Sequence, residues 1–199
     1  MNTNTVAIIL IGYQNDYFLP DGILHHALES TEAVQKILQS TVALINKVKD
    51  TPILVINTPI IFTETYAELI NPIGILKTIK EVGAFKKGTS GAETVAEISA
   101  FADRIITVPG KRGLNAFSNT SLENLLQEHN VTDVVLAGVV TSICLDTSGR
   151  TALDKGYSVS VLEDCTGGRS RFEQEFYCKE IFPLYASVLN STQLLEELN

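Results

Sequence analysis

The sequence predicts an α/β fold, a three-layer α/β/α sandwich with a mainly parallel, doubly wound sheet. Two observations lead to this prediction. Short apolar runs rich in β-branched residues recur along the chain with little polar alternation, which is typical of strands covered on both faces. Segments with apolar residues at helical spacing lie between these runs, and such alternation predicts right-handed crossovers between parallel strands.

The predicted strands are short and apolar. The first, Val6–Ile11, is too short to span a membrane and has no basic leader before it. We therefore expect it to be a buried strand in a cytoplasmic protein. The other predicted strands are Ile53–Asn57, Arg104–Val108, Val134–Ala137, Ser158–Leu162 and Tyr185–Leu189.

The predicted helices begin and end at residues that suit helix termini. Ser30 or Thr31 can cap the first long helix, and Gly156 can end the fourth. The segment from Thr58 to Ser90 is predicted to be irregular, and it is long enough to form a lid or an oligomer contact. The predicted helices are Ser30–Lys49, Gly91–Phe101, Asn119–Asn130, Leu145–Gly156, Arg171–Tyr177 and Ser191–Leu198.

Composition narrows the class of protein. With 45% hydrophobic and 19% charged residues among 199, the chain can bury a core as a single domain, residues 1–199. The net charge of −8 argues against binding to nucleic acid or to an anionic membrane, since both require a basic surface. The three cysteines, an odd number without CxxC spacing, fit a reducing compartment.

Cys144 is the strongest candidate for chemistry. It follows a predicted strand and a turn of small residues, close to where a helix is predicted to begin. A helix N-terminus favours the thiolate, and its free N–H groups can stabilise an oxyanion. The common alternative for a lone cysteine is a buried structural role.

Polar residues follow two other predicted strands at the same edge of the sheet. Lys111 could pair with a thiolate or bind a substrate carboxylate, although a solvated surface lysine is the more common outcome. Gln14, Asn15 and Asp16 follow the first strand, where such residues commonly form a hydrogen-bonded turn.

Several familiar motifs are missing from the sequence. The histidines, His25, His26 and His129, lack the spacing of a metal site, and His25 and His26 are interpreted as part of a surface loop. The sequence contains no GxxxxGK[ST], strand-linked GxGxxG or GxSxG motif. We therefore expect no metal and no cofactor.

Three segments, in order along the chain, carry a family resemblance. They are AIILIGYQNDYF at residues 7–18, GKRGLNAFSNTSL at residues 110–122 and LAGVVTSICLDT at residues 136–147. They are close to D-x-Q-N-D-F, K…AF…T-x-L and AG…T-x-x-C-V-x-x-T, the motifs of the isochorismatase-like cysteine hydrolases. The chain thus resembles this family, which includes nicotinamidases and N-carbamoylsarcosine amidase.

The resemblance implies an Asp–Lys–Cys triad in which Cys144 is the nucleophile and Lys111 stabilises the thiolate and the developing charge. It also implies a cis peptide bond between Val139 and Val140, with the N–H groups of Val140 and Cys144 forming an oxyanion hole. A small-molecule substrate and a homodimer or homotetramer are expected. The candidate substrate-binding residues are Gln14, Phe18, Phe62, Asn115, Phe117 and Thr141.

The family's catalytic Asp falls on Gly12 in this alignment, whereas Asp16 matches a second, usually structural, Asp. Loss of a general acid–base residue costs about 10²–10⁴-fold in rate. The residues leave four alternatives open: a slow enzyme, another carboxylate, a proton taken from the substrate, or lost catalysis. The candidate replacement carboxylates are Asp16, Asp21 and Glu64.

The resemblance also indicates which reactions of the family are disfavoured for this chain. Cleavage of isochorismate depends on the missing Asp, so that reaction is disfavoured. The nicotinamidase branch carries an Asp/His metal site after its second strand, and residues 56–62 offer no such ligands.

Three hypotheses remain. The favoured one is a cysteine hydrolase acting on a small amide, imide or related C–N bond. The alternative is an impaired or non-catalytic member that binds a small ligand, for which Gly12→Asp is expected to create activity. A weaker third hypothesis is a thiol-redox protein that uses Cys144.

Overall fold

The computed structural model describes residues 1–198 and contains one sheet of parallel strands in the order β3-β2-β1-β4-β5-β6. This confirms the predicted α/β fold. The fifth strand continues five residues beyond its predicted end at Leu162. The strands are β1 Val6–Ile11, β2 Leu54–Thr58, β3 Ile105–Thr107, β4 Asp133–Val139, β5 Ser158–Gly167 and β6 Ser187–Leu189.

Helices cover both faces of the sheet, and two apolar cores result. The long helix that begins at Thr31 is capped by Ser30, one of the two predicted caps, whose hydroxyl accepts a hydrogen bond from the Ala33 N–H. No helix within residues 1–198 combines the length and apolarity needed to cross a bilayer. The helices are α1 Asn15–Phe18, α2 Thr31–Val48, α3 Gly74–Val82, α4 Ala96–Ser99, α5 Leu122–Glu128, α6 Asp146–Asp154, α7 Arg171–Phe176 and α8 Ser191–Leu198.

Two segments differ from the prediction. The helix expected at Gly91–Phe101 is reduced to a 3₁₀ turn and α4. The reason is that Thr94 pairs with Gln14 as an antiparallel bridge, which keeps the backbone between the two turns extended. In the segment expected to be irregular, Gly74–Val82 forms the helix α3.

The strand order places a crevice beside β1. The chain moves from β1 to β2 and β3 on one side and from β4 to β5 and β6 on the other, so β1 and β4 flank the point where the winding reverses. Open parallel sheets bind ligands at this point, outside the carboxyl ends of the strands. Gly12 follows β1 and the segment leading to Cys144 follows β4, so both lie at the crevice.

Candidate active site

Lys111 and Cys144 are brought into contact beyond the ends of the strands. The Lys111 Nζ donates a hydrogen bond to the Gly113 carbonyl at 2.7 Å and lies 3.6 Å from the Cys144 Sγ. The two residues are only 2% and 7% exposed. Among residues 1–198, no carboxylate forms an ion pair with Lys111. A buried ammonium is costly without a partner, and the Cys144 sulfur is the side-chain group that the Lys111 ammonium contacts.

Backbone pairing fixes the position of Lys111. Lys111 forms a parallel bridge with Ile60, and the buried Gln14 amide bonds both the N–H and the carbonyl of Ile60 at 2.9 and 2.8 Å. A second hydrogen bond from Gln14 reaches the Ala92 carbonyl. Gln14, which was predicted to bind substrate, therefore holds the backbone of Ile60, the residue that pairs with Lys111.

Cys144 lies in a π-helical turn, Thr141–Leu145, and α6 begins only at Asp146. The sequence predicted that a helix begins at Leu145, next to Cys144. The α-helix instead begins one residue later, and Cys144 lies in the π-helical turn that precedes it. The peptide bond between Val139 and Val140, just before this turn, is cis.

The helix α7 holds the turn through two consecutive side chains. Gln174 accepts a hydrogen bond from the Thr141 hydroxyl and donates one to the Thr166 hydroxyl at 3.0 Å. Glu173 accepts a hydrogen bond from the Ser142 hydroxyl at 2.7 Å. Thr141, predicted to bind substrate, is thus an anchor of the turn. Sequence reasoning missed this network.

Glu173 is nearly buried and charged. Burial alone would raise its pKa, but hydrogen bonds from Ser142 and Arg169 outweigh burial and lower the pKa. Arg169 also forms an ion pair with Glu173 at 2.7 Å. The S-x-x-E pattern from Ser170 to Glu173, typical of a helix start, was the signal available in the sequence.

The space beside Cys144 is a narrow cavity of about 10 Å³, room for roughly one water molecule. Its walls are mainly aliphatic. The Tyr17 ring also faces it, and burial followed by the nearby Cys144 raises the pKa of that phenol. The lining residues are Gly12, Tyr17, Ile60, Ile75, Leu76, Ile79, Lys111, Leu114, Val139, Ile143 and Cys144.

Among these lining residues, the sequence predicted Gly12, Lys111 and Cys144 as site positions and Val139 as part of the cis peptide bond. Sequence reasoning missed the aliphatic wall. The signal available was the spacing of Ile75, Leu76 and Ile79 on one face of a helix, within the segment expected to be irregular.

The aromatic residues predicted to bind substrate lie in the cores instead. Phe18 stacks on Tyr13, and Phe62 packs on Tyr66. Phe117 stacks with Tyr157 on the other face of the sheet. Because they pack against other aromatic rings, these three side chains do not line the cavity.

Asn115 also has a structural role. It donates a hydrogen bond to the Thr151 hydroxyl and accepts one from the Phe117 N–H, at 2.8 and 2.9 Å. This ties the segment after Lys111 to α6, and Asn115 does not line the cavity.

No replacement carboxylate lines the cavity. Asp16 is buried and accepts a hydrogen bond from the Phe85 N–H at 2.6 Å, which ties α1 to the loop after α3. Asp21 lies on a separate surface depression, and Glu64 is exposed to solvent. Of the alternatives left open by the sequence, another carboxylate at the thiol therefore has no support from this geometry.

Gly12 occupies a position that a side chain would disturb. Its φ is +76°, and a Cβ there would lie 2.7 Å from the Val139 carbonyl oxygen. Only glycine adopts this conformation at low cost. An aspartate could not be placed here without moving the backbone next to the cis peptide bond.

The remaining titratable groups lie apart from Cys144. Burial raises the pKa of the Cys165 and Cys178 thiols, each to about 12, so both stay protonated near neutral pH. His25 bonds the Tyr17 carbonyl and the Thr31 hydroxyl through its two ring nitrogens. Over residues 1–198, no group of three His, Cys, Asp or Glu side chains could hold a metal ion.

Comparisons with known proteins show a family for this sequence. The Isochorismatase domain family matches residues 6–193. The isochorismatase family protein YddQ of Bacillus subtilis (strain 168) is 29% identical over 160 residues, covering 80% of this chain and 76% of that protein. Maleamate amidohydrolase of Pseudomonas putida is 30% identical over 106 residues, about half of each chain (51% and 50%).

Solved structures share the whole fold. An isochorismatase family protein from Desulfovibrio vulgaris has a TM-score of 0.84 at 21% identity, covering 98% of both chains. N-carbamoylsarcosine amidase from Thermoplasma acidophilum has a TM-score of 0.73 at 22% identity, covering 96% of this chain and 97% of that one.

Glu173→Gln is expected to remove a pH-dependent contribution to stability. The lowered pKa of Glu173 means that its carboxylate stabilises the fold above the unfolded value of about 4.3, and that this is lost as pH falls through the folded value. Urea midpoints should therefore differ between wild type and Glu173→Gln at pH 7 and converge at low pH.

Glu175→Gln is the matched control on the same helix. Glu175 pairs with Arg171 and Lys179 at the surface, where ion pairs contribute little. Equal losses in the two variants at pH 7 would contradict the role assigned to the Glu173 network.

Gly12→Asp is expected to destabilise the protein and to leave activity no higher than that of wild type. A non-glycine residue in a left-handed conformation costs about 1–3 kcal/mol, and the contact with the Val139 oxygen adds to this. Thermal unfolding and turnover measure the two effects.

Gly156→Asp is the control that separates the cost of the backbone conformation from the cost of the contact with the Val139 oxygen. Gly156 has a φ of +90° but no atom within 4 Å of a Cβ, so it carries the conformational cost alone. A Gly12→Asp protein with wild-type stability and increased turnover would show that the site accepts the carboxylate.

Proposed function

The chain belongs to the isochorismatase family, and from this premise we propose that it is a cysteine hydrolase acting on a small amide, imide or related C–N bond. Cys144 is the nucleophile and Lys111 assists it. The observation that carries the proposal is the buried contact of 3.6 Å between the Lys111 ammonium and the Cys144 sulfur. A paired thiolate of this kind is an activated nucleophile.

Relatives support the type of bond cleaved. The names of maleamate amidohydrolase and N-carbamoylsarcosine amidase describe enzymes that hydrolyse C–N bonds. In this chain the same family fold places a cysteine and a lysine at the point where the sheet reverses its winding. A small-molecule substrate is carried over from the names of these relatives.

The first half of the reaction forms a thioester. The Cys144 sulfur attacks the carbonyl carbon, a C–S bond forms, and the carbonyl electron pair moves to oxygen. We assign the N–H groups of Val140 and Cys144 as donors to this oxyanion. When the carbonyl re-forms, the C–N bond breaks and the leaving nitrogen takes a proton from Lys111.

The second half releases the acid. Water gives a proton to the neutral Lys111 amine while its oxygen attacks the thioester carbon. Collapse of this second intermediate breaks the C–S bond and restores the thiolate beside the ammonium. One water is consumed, and one carboxylic acid and one amine are produced.

Lys111 therefore carries two tasks in this proposal, pairing with the thiolate and transferring protons. The reason is that Gly12 supplies no carboxylate and no other carboxylate of the described residues lines the cavity. General acid–base catalysis typically contributes 10²–10⁴-fold, so we expect turnover to be slow compared with a site that has an orienting carboxylate.

The second candidate is a catalytically impaired member that binds a small ligand. Gly12 is the observation that favours it, because glycine at this position leaves Lys111 with no carboxylate to orient it or exchange protons with it. Ligand binding without turnover of any amide would support this alternative.

Cys144→Ser and Lys111→Met are expected to reduce amide hydrolysis by about 10²-fold or more, because each removes one partner of the reacting pair. Release of amine from a panel of small amides and imides measures the rate. Cys178→Ser is the matched control, since Cys178 is outside the cavity and should be replaceable with little effect.

Turnover that survives in Cys144→Ser would contradict a cysteine mechanism. Wild-type protein that turns over none of the panel, while binding one of its members, would favour the ligand-binding alternative.

A further inference from the structure

The helix α3 fills the space that a substrate would need. Ile75, Leu76 and Ile79 reach from α3 into the cavity beside Cys144 and leave about 10 Å³. Even a small amide is several times larger than one water molecule, which occupies about 30 Å³ of the liquid. Part of the wall must therefore move before any substrate reaches the sulfur.

The polar contacts of α3 are local. Across residues 1–198, the hydrogen bonds and the ion pair of residues 70–82 are all made within residues 70–84. The Lys111 backbone, in contrast, forms a bridge with Ile60. Apolar packing alone holds α3 over the thiol.

Both ends of α3 carry backbone conformations that suit a hinge. Gly74 at its start and Gly83 directly after its end have φ values of +55° and +78°, and Asn71 just before it has +49°. A Cβ at Gly74 would meet no atom within 4 Å, so the chain there is unconstrained by neighbours. Hinges are commonly a few positions of this kind at the ends of an element.

The side chains that line the cavity determine which substrate groups can be buried there. The cavity's polar side chains are Tyr17, Lys111 and Cys144, and the Lys111 ammonium already faces the sulfur. No guanidinium and no second ammonium lines the cavity. A substrate carboxylate would be buried there without a partner, which is strongly unfavourable.

We propose that α3 is a movable cover over Cys144 whose aliphatic face selects small, uncharged amides with an aliphatic substituent. Opening of α3 admits the substrate, whose aliphatic group then packs against Ile75, Leu76 and Ile79. Closure shields the thiolate from bulk water during its attack, and α3 opens again to release the amine and admit the water that hydrolyses the thioester. The substrate class rests on the proposed hydrolase function, whereas the movement of α3 does not.

Alkylation of Cys144 tests the cover without any substrate. Iodoacetamide is small and neutral, and peptide mass spectrometry distinguishes Cys144 from the other two cysteines. Leu76→Ala removes part of the packing over the sulfur and is expected to accelerate alkylation roughly tenfold, because local opening becomes easier.

Ile73→Ala is the matched control. Ile73 directly precedes α3 but is 83% exposed and does not line the cavity. Its alkylation rate should equal that of wild type. Equal rates in Leu76→Ala and Ile73→Ala would overturn the assignment of α3 as the cover.

Hydrogen exchange of the wild-type protein gives a test that needs no variant. The amides of α3 should exchange faster than those of α2, which packs against the sheet along its length. Protection of α3 equal to that of α2 would overturn the movement even if Leu76→Ala failed to fold.

The substrate class is tested with a pair of amides that differ by one carboxylate. Propionamide should be hydrolysed with a kcat/KM roughly tenfold or more above that of succinamate. Leu76→Arg supplies a cation at the wall and should narrow or reverse this preference. Faster hydrolysis of succinamate by wild type would refute the selectivity and leave the hydrolase function intact.

The two proposals can fail separately. Faster alkylation in Leu76→Ala with no hydrolysis of any amide would support the cover and count against the hydrolase. Amide hydrolysis that needs Cys144, with an alkylation rate unchanged in Leu76→Ala, would support the hydrolase and count against the cover.

Discussion

The contact between the Lys111 ammonium and the Cys144 sulfur is the interaction around which the site is organised. Both side chains are buried, and the ammonium lies 3.6 Å from the sulfur. The sheet brings the two groups together, because β1 and β4 meet where the winding reverses and the segments that follow β3 and β4 converge there. The backbone bridge between Ile60 and Lys111 then fixes the lysine.

The turn that carries Cys144 is supported by the helix α7. Glu173 and Gln174, adjacent on α7, bind the hydroxyls of Ser142 and Thr141 in the turn that carries Cys144. Gln174 continues to Thr166 on β5, so the turn is joined to the sheet by a chain of hydrogen bonds. Residues that position a nucleophile in this way matter because small displacements of a reacting atom are costly for catalysis.

Among the described residues, no carboxylate lines the cavity beside Gly12. Gly12 has a positive φ, and a Cβ at this position would lie too close to the Val139 carbonyl oxygen. The local backbone therefore leaves little room for a side chain here. The wall opposite is aliphatic, and α3 closes it. A lysine and a thiol in an apolar enclosure form a net-neutral pair when the thiol is ionised, and a paired charge is less costly to bury than an unpaired one.

Local sequence patterns determined the parallel α/β fold, the strand ends that form the site, and the candidacy of Lys111 and Cys144. Apolar runs and strand–helix alternation depend on neighbouring residues, so they can be read directly from the chain. Only the tertiary structure decided that Phe18, Phe62 and Phe117 lie in the cores, that Asn115 and Gln14 brace the backbone, and that α3 and α7 close and support the site. Those outcomes depend on contacts between residues far apart in the chain, such as Ile79 with the Cys144 cavity, and local propensity carries no information about such contacts.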